Sequence, residues 1–125
     1  MIRLGHALRV ATPCALAVLL LGCSSGTATS AKSMVRESCQ QHVSVNGLRT
    51  DDVLQRYETG AADAVAAART NAQWRQFAAE YQTFLQMNRD LVAGRLTLTN
   101  RVRLQPGIQA GQAVADVCRG LGYTG

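Results

Sequence analysis

The chain has 125 residues, with 13 Lys and Arg against 8 Asp and Glu, a formal charge of +5. That length leaves room for one modest domain and excludes two once an export segment is set aside. Two histidines and an aromatic content of 5% exclude a histidine-rich metal centre and a core built mainly of rings, so packing falls to Leu, Val and Ala.

The first 22 residues have the three parts of an export signal. Residues 1–9 carry Arg3 and Arg9 and no acid. Val10 to Gly22 is almost wholly apolar, but its 13 residues fall short of the roughly 20 that span a bilayer as a helix. A cleaved signal is therefore expected rather than a permanent anchor. The segment closes on Leu20-Leu21-Gly22-Cys23 and is followed by small polar residues.

This arrangement resembles the lipobox of bacterial lipoprotein precursors. Leu20 and Gly22 fit the pattern, while Leu21 is bulkier than the usual residue at its place. The resemblance implies cleavage before Cys23, a lipid thioether on Cys23, and a protein tethered to the extracytoplasmic face of a cell membrane. The other reading is an ordinary secretory signal cut near Thr27-Ala28. With 12 Arg to a single lysine, Lys32, and abundant Ala and Gly, the chain is similar in style to the small lipoproteins of actinobacteria, mycobacteria included. The resemblance covers mainly residues 1–33 and implies no active-site residues.

Residues 23–33 are expected to form the lipidated cysteine and a flexible linker, since Ser24 to Ser33 holds no large apolar side chain. Residues 34–125 are expected to form an all-α, four-helix-bundle-like domain. A first helix, about Ala31 to Val45, places Val35, Cys39, His42 and Val43 on one side, and Asn46-Gly47 stops it. Thr50-Asp51-Asp52 suggests a cap and an acidic first turn for a second helix that runs to about Arg69. Its inward face is Val53, Leu54, Tyr57, Ala61, Ala64, Val65 and Ala68, with Gly60 a cost to helix stability. A third helix, capped by Asn71 and ended by Gly94, carries the stripe Trp74, Phe77, Ala78, Tyr81, Phe84, Leu85, Asn88, Leu91 and Val92.

Leu96 to Leu104 alternates apolar and polar residues and fits an extended connection, or a last helix that begins near Asn100 and passes through Pro106. The helical reading is preferred, because a lone strand has no partner in a helical chain. The regular part of the last helix, about Gly107 to Gly120 with Pro106 suited to its beginning, aligns Ile108, Gly111, Val114, Ala115, Cys118 and Leu121.

Of four cysteines, Cys14 leaves with the signal and Cys23 takes lipid, so Cys39 and Cys118 are expected to form a disulfide. In an up-down bundle the first and fourth helices are neighbours, which suits that bond. Cys39, His42 and Cys118 as metal ligands is the weaker alternative, because zinc sites generally need a fuller set.

No Glu-x-x-His pair, Gly-x-Ser-x-Gly elbow, phosphate loop or dinucleotide fingerprint occurs, so neither catalysis nor a cofactor is expected. Arg95, Arg101 and Arg103 are expected to form a basic cluster without a nearby acid, suited to an envelope protein, an anionic lipid or a cell-wall polymer. Nucleic acid is not an expected partner outside the cytoplasm. The leading expectation is a lipid-anchored envelope protein with a binding role. The alternative is a carrier of an apolar ligand, lipid or haem, between helices, with His42 or Tyr81 as the axial residue for haem.

Overall fold

A computed structural model describes residues 30–124. These residues form four α-helices and no strand. Helix α1 covers residues 30–43, α2 Thr50–Thr70, α3 Arg75–Val92 and α4 Arg101–Gly120. One 3-10 turn, Ala72–Trp74, leads directly into α3. Helix α1 begins by residue 30 and fully buries Ala31, so the domain starts about one turn before the expected boundary at residue 34.

Helix α3 is the central element and packs against both α2 and α4. Its inward stripe is the one its periodicity announces: Phe77, Ala78, Tyr81 and Leu85 are buried, and Trp74 and Phe84 pack against them. Only Val92, at the end of the stripe, is exposed. Helix α2 meets α3 with small residues, Gly60, Ala61, Ala64 and Ala67. Small side chains there let large ones cross the interface. At Gly60 a Cβ would run into the Tyr81 hydroxyl, and at Gly111 it would lie 2.7 Å from the Phe84 ring. Gly107 in α4 makes the same kind of room for Met87.

The inward face of α4 is Leu104, Gly107, Ala110, Val114 and Cys118. Ile108, expected on this face, lies roughly 100° of helical rotation from Gly107 and is 40% exposed. The last helix does begin at Asn100, whose side chain accepts a hydrogen bond from the Arg103 N–H at 3.2 Å. Pro106 therefore sits inside α4 rather than at its start. Thr50 provides no cap for α2. Arg49 precedes that helix with extended backbone, and Asp51 and Asp52 occupy the first turn.

Cys39 and Cys118 are bonded, with Cα atoms 5.4 Å apart, and join α1 to α4. Both are buried within the core cluster. No helix among the described residues is long and apolar enough to cross a membrane.

Candidate functional site

Two groups of residues singled out by sequence occupy opposite environments, one interior and one exposed. The interior group surrounds His42. Its ring lies 5.2 Å from Phe84 and 5.8 Å from both Tyr57 and Tyr81, centroid to centroid. Its Nδ1 is buried without a hydrogen-bond partner among the described residues. Burial pushes the His42 pKa down, because charging the ring inside an apolar cluster forfeits hydration.

Tyr81 is fully buried, and its hydroxyl donates a long hydrogen bond of 3.4 Å to the Ser38 carbonyl. Ser38 in turn donates from Oγ to the Gly60 carbonyl at 2.7 Å. Burial raises the Tyr81 pKa, with Tyr57 acting in the same direction. The phenol is thus a neutral tie between α1 and α3, with its oxygen already engaged.

This geometry bears on the metal and carrier readings. Cys39 and Cys118 are joined to each other, which takes both thiols out of any ligand set with His42. Among the described residues no three of His, Cys, Asp and Glu are grouped to hold a metal ion. The aromatic stripe that suggests a ligand pocket fills the interhelical space itself: Trp74 packs edge-on to Phe77, Phe77 to Tyr81, and Tyr57 to Phe84. A groove of about 380 Å³ opens between the end of α1 and the end of α4, along His42, Val43, Ala115 and Tyr123, at the surface rather than between the packed rings.

The exposed group is the turn between α3 and α4. Gly94 ends α3 at φ +73, the left-handed conformation that glycine adopts without a Cβ clash. The Gly94 N–H donates to the Leu91 carbonyl and the Arg95 N–H to the Asp90 carbonyl, which is the Schellman pattern. This reversal folds Arg95 back onto Asp90, and the two side chains pair at 2.9 Å. The hydrogen bond from Arg95, with a further one from Gln86, holds the Asp90 carboxyl below the usual range. Arg103 reaches back and donates from Nη1 to the Arg95 carbonyl at 3.3 Å.

The three predicted arginines are therefore brought to one turn, but Asp90 joins them, contrary to the expectation of a cluster without a nearby acid. Arg101 and Arg103 make no ion pair among the described residues. Leu96 and Leu104 turn inward and pin the turn to the bundle. Leu98 and Val102 turn outward and are 77% and 86% exposed, the two most exposed large apolar side chains among the described residues. Sequence reading missed these two as surface features. A signal was present: residues 91–115 contain no acid at all, while Arg95, Arg101 and Arg103 fall among them.

Cys23, the expected lipidation site, lies outside the described residues. No family model, no curated protein and no solved structure matches the chain.

Proposed function

We propose that this protein is a lipid-anchored component of a bacterial cell envelope and that its helical domain acts by binding rather than by catalysis. The observation that carries the binding reading is the contrast between interior and surface. His42 and the aromatic rings are consumed by packing, while the α3–α4 turn offers arginines and apolar side chains to solvent. The anchor is supported by the sequence Leu20-Leu21-Gly22-Cys23 behind an apolar run too short to span a bilayer. The carrier reading draws less support, since the rings it would use already fill one another's space.

The anchor is tested by the intact mass of the membrane-extracted protein beside a Cys23→Ala variant. A lipid-sized increment on a chain beginning at Cys23, absent from the variant, is the expected result. An unmodified chain beginning near Ala28 overturns the anchor and makes the protein freely secreted.

A further inference from the structure

The α3–α4 turn has an unusual surface for a small domain: its most prominent side chains are apolar, and the charges carried by the turn and by α4 as far as Asp116 are all arginines, with Asp90 paired to Arg95 and the acidic first turn of α2, Asp51 and Asp52, at the same end of the bundle. We infer that this turn and the adjoining outer face of α4 form a second membrane contact, directed at an anionic bilayer. The inference rests on the envelope reading only for the presence of a bilayer nearby.

Shape is the first argument. Leu98 stands on the turn and Val102 on the first turn of α4, four residues apart. Both project from the end of the bundle. Single projecting apolar side chains suit an interface that accepts insertion without a preformed pocket, as the boundary between headgroups and acyl chains does.

Charge is the second argument. No acidic residue occurs between Asp90 and Asp116. Asp90 pairs with Arg95 and also feels the charge of Arg103, whose Nη1 is held by the Arg95 carbonyl, so Arg101 is the unengaged arginine here and Arg103 adds its charge from a tethered position. The exposed side of α4 continues the pattern with Val102, Gln105, Pro106, Ile108 and Gln109, none of them charged. The stripe ends where Asp116 pairs with Arg119. A bilayer facing this side of α4 meets arginine guanidinium groups, amides and aliphatic groups, and no carboxylate before Asp116.

Topology is the third argument. Ser38 bonds to Gly60 and Arg56 donates to Ser44, while Arg89 pairs with Glu58 and Tyr81 abuts Gly60; the opposed order of each set makes α1 and α2, and α2 and α3, antiparallel neighbours. The chain therefore enters α1 at the end of the bundle away from the α3–α4 turn. Six residues separate Cys23 from residue 30, and the seven steps between their Cα atoms span at most about 24 Å. Helix α4, with 20 residues, is itself about 30 Å long. A lipid on Cys23 and the α3–α4 turn reach one bilayer when the bundle lies along it, and the inference places the acid-free side of α4 against that bilayer.

The test uses the oxidised chain from Ser24 onward, which has the core and disulfide but no lipid, sedimented with vesicles. Phosphatidylcholine vesicles are compared with vesicles containing phosphatidylglycerol. Association with the anionic vesicles, weakening as salt rises, is the expected result. Leu98→Asp with Val102→Asp lowers the partition coefficient at least tenfold. Arg101→Gln and Arg103→Gln lower it roughly fivefold each, while Arg75→Gln on α3 leaves it unchanged. Circular dichroism confirms that the variants stay folded. No association with either vesicle overturns the inference, as does association indifferent to lipid charge or to both pairs of substitutions. Capture of an acidic protein through this turn, without vesicle association, assigns the surface to a protein and also overturns it. Since the tested chain carries no lipid, this outcome and the mass of the extracted protein fail independently.

Discussion

Gly60 illustrates how a residue that weakens a helix strengthens a fold. In a helix interior, glycine is about 1 kcal/mol worse than alanine. Here the missing Cβ is the space into which the Tyr81 hydroxyl fits, close to the Ser38 hydroxyl that bonds the Gly60 carbonyl. Gly60→Ala is expected to lower stability by about 1–3 kcal/mol despite the better propensity, because overpacking displaces a buried phenol. Urea unfolding measures it, and a gain in midpoint contradicts it. His42 supplies a pH dependence with a defined sign. Burial holds its folded pKa below the ordinary histidine value of 6.5, so the unfolded chain binds the proton more readily. The stability due to its neutral burial is complete above pH 6.5 and declines as pH falls toward the folded pKa. His42→Phe keeps the aromatic packing and is expected to remove that decline. Stability measured at pH 7 and pH 5 for both chains decides the matter, and parallel curves would count against the assignment.

Among the elements, α1, α2 and α3 were legible because each offers a clear apolar stripe and a punctuating residue: Gly47 after α1, Asn71 before the 3-10 turn, and Gly94 after α3. The start of α4 was harder to place for two physical reasons. Residues two apart on a helix point about 200° away from each other, so Val102 and Leu104 cannot both face inward. An alternating pattern there implies a strand unless one of them is surrendered to solvent, as Val102 is. Pro106 also suits a helix start, yet its missing N–H would have served only the carbonyl of Val102, near the exposed beginning of α4, where water can replace it. The basic cluster was legible as three positions, while its pairing with Asp90 depends on the backbone reversal at Gly94. That reversal is testable. Gly94→Ala forces a Cβ into left-handed backbone and is expected to cost about 1–2 kcal/mol. Gly120→Ala, at the end of α4 with open space around it, is expected to stabilise by up to about 1 kcal/mol. Opposite shifts in thermal midpoint for these two alanines are the expected result, and equal shifts would deny Gly94 its special conformation.

At the scale of the molecule, the placement of Cys39 and Cys118 near the two ends of the domain predicted that the first and last helices meet, and the bond between them has that consequence. Among the described residues, helix α1 buries only modest side chains completely, Ala31, Val35, Ser38 and Cys39, with Met34 and His42 partly buried beside them. Such a face buries little apolar area, and Ser38 adds a hydrogen bond rather than hydrophobic surface. The disulfide compensates by limiting the unfolded chain, since it closes a loop with a sequence separation of 79. The chain-entropy relation assigns about 4–5 kcal/mol to a loop of that length, and measured losses on removing such bonds run at about 2–5 kcal/mol. A domain of this size has a total stability of about 5–10 kcal/mol, so the bond accounts for a large share of it. Replacing both cysteines by alanine is therefore expected to lower the melting temperature by roughly 10 to 30 °C, and to do so most visibly in α1. Amide hydrogen exchange separates the two effects: α1 should lose protection before α2 and α3, which remain packed through the stripe from Phe77 to Leu85. Uniform loss of protection across all four helices would mean that α1 is integral to the cooperative unit without its bond. A melting temperature within a few degrees of the oxidised protein would mean that the bond only decorates a bundle already held by its core.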